Sequence, residues 1–289
     1  MNRPPLPPLS DDPLVSVILT SYNYGQFVGE SIDSVFGQSY SHCELIVTDD
    51  GSADGSPEII RDKLAHAPIP AQAIYQENRG QAAAMNCAFA KAKGEVIAFI
   101  DSDDYWAPTK IEEMIAFMRG QPDGGVYQHQ VEDGRGVLYH DPLCSGDYYL
   151  KWEALGEVNT AIRQDLFLVF VPTSGLVFRK TVLDQVFPVP EQLVACPDTF
   201  IAFQACRFGP LYSNPRVLGV WRSHADNAGK RRRFRYKKYG VSVVLGSIND
   251  RFRTLGEPIH LTYRPVAVLW EPVRLVREAL VRRRKRRTG

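Results

Sequence analysis

Cysteine is scarce: five residues in 289 (Cys43, Cys87, Cys144, Cys196 and Cys206), scattered, odd in number and without a CxxC pair. That argues against a disulfide frame or a cysteine zinc site and predicts idle or buried thiols in a reducing compartment. No apolar run approaches the roughly 18 residues of a spanning helix. The opening MNRPPLPPLSDDP has no apolar stretch of the kind a secretory signal needs, so none is expected. Neither GxGxxG nor a P-loop occurs, which removes support for the usual dinucleotide and ATP folds. Repeats are absent, and biased composition is confined to the two ends. With 44% hydrophobic and 23% charged residues, the chain has what a full core requires and is neither disordered nor collagenous.

The formal net charge of +1 conceals an asymmetry. Residues 1–229 carry 16 Lys+Arg against 29 Asp+Glu, a balance of −13, whereas residues 230–289 carry 18 against 4, a balance of +14. An acidic body suits cations or cation-bridged ligands, and a basic tail suits an anionic surface. Three segments follow: a loose Pro-rich leader over 1–13, a main domain over 14–229 (halves 14–120 and 121–229), and a basic, partly amphipathic helical tail over 230–289. The leader holds five prolines and cannot form a helix.

Short β-branched runs alternate with helical patterns. Leu14–Thr20, Glu44–Thr48, Ala71–Tyr75 and Glu95–Ile100 read as strands. Val28, Ile32, Val35 and Phe36 share a helix face. A second helix is expected to open at Ser56-Pro57-Glu58 with serine as N-cap. Gln81–Ala92 is alanine-rich and helical, and Pro108 starts another helix through about Met118. This alternation predicts α/β architecture, a mostly parallel central sheet flanked by helices. The second half is less regular: 121–165 mixes strands and loops, Leu166–Val171 and Gly175–Phe178 are apolar, and Pro197-Asp198 leads into a helix.

In parallel sheets ligands bind beyond the carboxyl ends of the strands. Polar clusters sit at three such ends: Ser21-Tyr22-Asn23, Asp49-Asp50-Gly51-Ser52, and Asp101-Ser102-Asp103-Asp104. Asp101, Asp103 and Asp104 repel one another unless a cation or water compensates, and hard divalent ions take such oxygens together with substrate phosphates. A solvated turn with a helix cap is the plain alternative. Asp49 and Asp50 read equally as turn residues or as acceptors for a base N–H or ribose hydroxyls.

Together, VSVILTSYNYGQFVGESIDSVFGQSY, ELIVTDDGSADGS, ENRGQAAAMNCAFAKAKGEVIAFIDSDDYWAP and VLGVWRSHADN resemble the family 2 glycosyltransferases over roughly residues 14–227. The resemblance implies the glycosyltransferase A fold and an inverting, metal-dependent transfer of a sugar from a nucleoside diphosphate, in the first instance UDP. By motif, Thr20, Tyr22 and Asn23 lie against the nucleoside, Asp50 accepts the base N–H with Asp49 beside it, and Arg79 approaches the diphosphate. Asp101-Ser102-Asp103 matches the DxD motif, with Asp101 near the ribose, Asp103 on the Mn²⁺ or Mg²⁺, and Asp104 as a helper. Asp198 matches the general base, although the usual preceding Glu is Pro197. A first-turn residue favoured by the helix dipole is the other reading of Asp198. Trp221, Arg222, His224 and Asn227 match a WRxH-type segment folding over the donor, with His224 a metal or diphosphate contact or else a surface histidine. Thr173 and Ser174 match a segment near the acceptor.

The expected partners are a nucleotide-sugar donor and a saccharide or lipid-linked saccharide acceptor, in surface polysaccharide or glycolipid synthesis at the cytoplasmic face of a membrane. Lys230–Lys238 has seven basic residues in nine, and residues 264–289 combine an apolar helix face from Pro272 with the run RRRKRR. That pattern suits an anionic membrane surface. A solvated tail packed on the domain, or a homo-oligomer contact, stays open. Nucleic acid is not favoured, because no nucleic-acid motif is present. Two other functions remain in view: a nucleotide-sugar-binding module without transfer, motivated by Pro197, and a membrane-associated scaffold.

Overall fold

The computed structural model describes residues 5–138, 149–150, 170–193, 196–224 and 241–256. The expectations for Asn227, the Lys230–Lys238 run, the tail 264–289 and all of Leu166–Val171 except Phe170 and Val171 fall outside the described residues.

The first half forms as its pattern predicts. Strands β1 (Val15–Ser21), β2 (Cys43–Asp49), β3 (Ala71–Tyr75) and β4 (Val96–Asp101) pair in parallel, in the order β3-β2-β1-β4. Helices α1 (Gly25–Phe36), α2 (Ser56–Ala65) and α3 (Gln81–Phe89) make the crossovers. β1 and β2 are buried throughout, which is why they read as continuous apolar runs. Alternation along them feeds two cores. Val17, Leu19, Leu45 and Val47 join Val28, Ile32 and Val35 of α1, while Ile18, Ile46, Ile97 and Phe99 meet Ala82, Met85 and Ala88 of α3. Truncating a residue such as Ile32 to alanine costs about 2–5 kcal/mol. Phe36 is only partly buried, and Ser56 is the first residue of α2 rather than its cap. The Asp54 carboxylate takes the Ser56 N–H (3.0 Å) and the Gly25 N–H (2.9 Å), tying the starts of α1 and α2 together.

The sheet continues through β8 (Leu176–Arg179), β6 (Val126–Glu132), β9 (Leu211–Val220) and β5 (Tyr105–Trp106), with β7 (Tyr149–Leu150) also paired to β9. Here the pairing is mixed: β8 runs antiparallel to β4 and β6, whereas β6 and β9 are parallel with a register shift near Gln130. Helices α4 (Lys110–Gly120), α5 (Lys180–Leu183), α6 (Pro197–Ala205) and α7 (Val241–Thr254) complete the described chain. The result is an α/β domain whose largely parallel sheet is flanked by helices.

Leader residues 5–13, expected to be loose, are pinned. Arg179 donates to the Pro7 carbonyl (2.8 Å), Tyr40 Oη to the Pro13 carbonyl (2.8 Å), and Arg119 to the carbonyls of Ser10 and Asp11. Among the described residues no helix is long and apolar enough to cross a membrane.

Candidate active site

The chain leaves β1 for β2 and β3 on one side and returns to β4 on the other. The order therefore reverses between β1 and β4, which opens a crevice at their carboxyl ends. Register puts Thr20 beside Thr48 and Asp101, and Ser21 beside Asp49. The three polar strand ends consequently share one edge. Tyr22 stands there 47% exposed, an open aromatic face at the rim.

On the β2 side the carboxylates organise loops. Asp49 takes the N–H and hydroxyl of Ser52 (2.9 and 2.6 Å) and so closes its own turn. Asp50 takes Gln76 Nε2 (2.7 Å) and the backbone N–H groups of Arg79 and Gly80 (2.8 Å each), fixing the loop that leads into α3. Gly51 has φ +76°, and a Cβ there would lie 2.8 Å from the Asn78 nitrogen. Asn23, also left-handed at φ 56°, accepts the Ala53 N–H (2.8 Å) and donates its own N–H to Ser52 Oγ (2.8 Å). The Arg79 guanidinium does not join the aspartates; it forms a two-point ion pair with Glu191 (2.6 and 2.7 Å) at the surface.

The β4 end is where the acids gather. Carboxylate oxygens of Asp101, Asp103 and Asp104 all lie within 4.8 Å of one another. Asp104, fully buried, is committed: its carboxylate accepts from Ser174 Oγ (2.5 Å) and from the Arg222 N–H (2.8 Å). The carbonyls of Ser102 and Asp104 both accept from the buried hydroxyl of Ser31 on α1 (2.8 and 2.5 Å). Asp101 accepts from Gln81 Nε2 (2.8 Å) and donates its backbone N–H to Ser174 Oγ (3.0 Å). Burial, then the charges of Asp103 and Asp198, pushes the Asp101 carboxyl well above the usual carboxylate range; burial, Asp103 and Asp101 do the same to Asp104.

The second half delivers the remaining groups. A 3₁₀ turn, Thr173–Gly175, sets Ser174 between Asp101 and Asp104 and lets Thr173 Oγ1 donate to Asp198 Oδ2 (3.1 Å). Asp198 is the second residue of α6, and burial raises its pKa. The segment after β9 crosses the crevice. The Trp221 backbone N–H donates to the Glu132 backbone carbonyl (2.8 Å), and the Arg222 guanidinium lies 4.9 Å from the ring centroids of both Phe27 and Tyr105 and donates to the Glu30 carboxylate (2.8 Å). His224 Nε2 sits 2.9 Å from Asp103 Oδ2, with its ring against Phe27 (4.6 Å) and Tyr24 (5.5 Å).

Of the residues expected at the site, Thr20, Asp101, Ser102, Asp103, Asp104, Thr173, Ser174, Asp198, Arg222 and His224 converge; Asp49 and Asp50 hold the neighbouring loops. Sequence reasoning missed Ser31, Gln76, Gln81 and Glu30. Ser31 alone carried a signal, as a polar residue on the apolar face of Val28, Ile32 and Val35.

Hard-donor chemistry fits this edge. Hard divalent cations take oxygen ligands, and Asp101, Asp103 and Asp104 offer carboxylate oxygens within 4.8 Å of one another, with His224 Nε2 at hydrogen-bond distance, 2.9 Å, from Asp103. A carboxylate-rich donor set suits Mg²⁺ or Mn²⁺.

The family model described as "Glycosyl transferase family 2" matches residues 16–187. An uncharacterized glycosyltransferase of Nostoc sp. is 32% identical over 226 residues, 74% of this chain and 66% of that protein. A UDP-Glc:alpha-D-GlcNAc-diphosphoundecaprenol beta-1,3-glucosyltransferase of Escherichia coli is 42% identical over 108 residues, 36% of this chain and 41% of that protein. The chain thus spans less than two thirds of the length of either relative. Among solved structures, the mannosyltransferase PcManGT of Pyrobaculum calidifontis, in complex with GDP-Man and Mn²⁺, superposes with a TM-score of 0.60 at 18% identity, covering 95% of this chain and 84% of that one. At that identity the likeness shows a shared fold.

Proposed function

We propose that this chain, which belongs to glycosyl transferase family 2, transfers a sugar from a nucleoside-diphosphate donor, in the first instance a UDP-sugar, to a hydroxyl acceptor with inversion. The observation that carries the reading is the meeting of Asp101, Asp103 and Asp198 at the switch-point crevice. A relative that acts on a diphosphoundecaprenol-linked sugar supports a saccharide or lipid-linked saccharide acceptor.

Asp103 and His224 would hold the divalent cation, which when bound offsets charge developing on the departing diphosphate. Thr20, Tyr22 and Asn23 line the nucleoside side, with Asp50 and Asp49 shaping its loop. Arg79 reaches the diphosphate by exchanging Glu191 for phosphate. Ser102 and Asp104 keep the metal-binding turn in place. Asp198 is the base: a buried carboxylate with a raised pKa takes the acceptor's proton as its oxygen attacks the sugar face opposite the leaving group. Thr173 orients Asp198, Ser174 couples it to the β4 end, and Trp221 and Arg222 close the donor side.

The test is release of nucleoside diphosphate from a panel of nucleotide sugars, with Mn²⁺ or Mg²⁺ and then with chelator. Transfer that needs the cation and disappears in Asp103→Ala supports the reading. Full activity of that variant in chelator contradicts the metal role.

A further inference from the structure

Behind the Thr173–Gly175 turn lies a buried polar cluster that the reaction does not use directly. Lys110, the first residue of α4, is wholly inaccessible. Its Nζ lies 3.1 Å from the centroid of the Trp106 ring and 3.4 Å from the carbonyl oxygen of Ser174. Trp106 Nε1–H donates to the same carbonyl at 2.8 Å. His129 on β6 is also fully buried, with Nδ1 2.8 Å from the Gln130 carbonyl. Burial, then the charge of Lys110, lowers its pKa to about 3. Among the described residues no carboxylate pairs with Lys110, and burial drives its ammonium well below the usual lysine range.

A buried amine without a counter-ion is costly, and Met114 and Met118, on the same helix stripe, show that an unbranched apolar side chain suits that surface. What the amine adds is a donor for one peptide carbonyl. The other side of that residue faces the site: Ser174 Oγ joins the Asp101 N–H to the Asp104 carboxylate, and the adjacent Thr173 hydroxyl bonds Asp198.

We propose that Lys110 and Trp106 are positioning residues, clamping the Ser174 carbonyl from behind so that the 173–175 turn holds Asp101, Asp104 and Asp198 in their working arrangement. The proposal rests on the reading of this crevice as a glycosyl-transfer site. Misplacing a reacting group by about 1 Å costs up to about 10²-fold in rate, so loss of the clamp is felt in turnover more than in nucleotide binding.

The experiment compares Lys110→Met and Trp106→Phe with the wild type by transfer kinetics, calorimetric binding of UDP with Mn²⁺, and amide hydrogen exchange over residues 171–179. The clamp predicts, for each variant, kcat lowered about tenfold or more, UDP–Mn²⁺ affinity within about threefold, and exchange faster in 171–179 but not in β1–β3. Trp106→Phe keeps an aromatic side chain in the core while removing the Nε1–H donor, so it decides the matter if Lys110→Met fails to fold. Unchanged kcat with unchanged local exchange overturns the proposal. So does exchange that quickens equally throughout the sheet, because the pair would then be ordinary core residues. If the wild type transfers no sugar from any donor, the functional reading fails, and the exchange comparison still decides the clamp.

Discussion

The two halves of the sheet build their shares of the crevice by different means. In β1–β4 the backbone does the placing: parallel register alone brings Thr20, Thr48 and Asp101 to one edge, where Asp49 closes its own turn and Asp50 fixes the loop leading into α3. In the half from β5 to β9, side chains do it over long sequence distances. Ser174 reaches Asp104 across 70 residues, Arg222 reaches it across 118, and His224 meets Asp103 across 121. The first half, the nucleotide side in the proposed reading, is thus set by backbone register, and the second is an assembly whose geometry depends on a few polar links. Damage to the first half should appear in donor binding; damage to the second should appear in turnover.

The sharpest way to break that contrast is at the meeting point. Asp103→Ala should lower transfer by about 10³-fold, the upper end of the scale of losing one group that stabilises developing charge, and should abolish the response of the melting temperature to Mn²⁺ with UDP. Asp198→Asn should reduce kcat by about 10²–10⁴-fold, the range for a general base, while leaving UDP–Mn²⁺ affinity near wild type. It should also raise the melting temperature of the metal-free protein at neutral pH. The sign follows from burial: the folded pKa lies above the unfolded one, so the native state binds more protons, and stability falls as pH rises from the unfolded pKa through the folded one.

The same shift bears on rate. As the proposed base Asp198 acts deprotonated, so kcat should fall on the acid side with an apparent pKa above the ordinary aspartate value of about 3.9. A pH–rate profile whose acid limb sits at or below that value would remove Asp198 as the base. On the platform side, Asp50→Asn should weaken UDP binding about tenfold, because the acceptor for the Arg79 and Gly80 N–H groups loses its charge, with kcat much less affected. The smallest effect belongs to the far edge. Arg179→Met, which releases Pro7 and Pro122, should cost about 1–3 kcal/mol in chemical denaturation, the scale of a lost buried charged hydrogen bond, and leave transfer unchanged.

What could be read in advance divides along the same line. Strands, crossovers and the Asp101–Asp104 cluster were legible because period and strand-end position are local properties of the chain. Asp198 needed the family pattern, since an aspartate in the first turn of a helix is unremarkable by itself. The Ser174 bridge was not legible, because it exists only once β8 lies against β4. Lys110 was concealed by its chemistry: a lysine opening a helix reads as solvated, and only its place on the Met114–Met118 stripe hinted at burial. The pinned leader was hidden because two of its anchors, Arg119 and Arg179, lie more than a hundred residues away.

On the proposed reading, Asp103 from the first half and His224 from the second hold one cation at the switch point. X-ray data at the manganese absorption edge, from crystals grown with UDP and Mn²⁺, test it directly. An anomalous peak is expected at ligand distance, about 2 Å, from Asp103 and His224, with the diphosphate on its open side. A peak that touches none of the β4-end aspartates, or no peak with UDP bound, would contradict it.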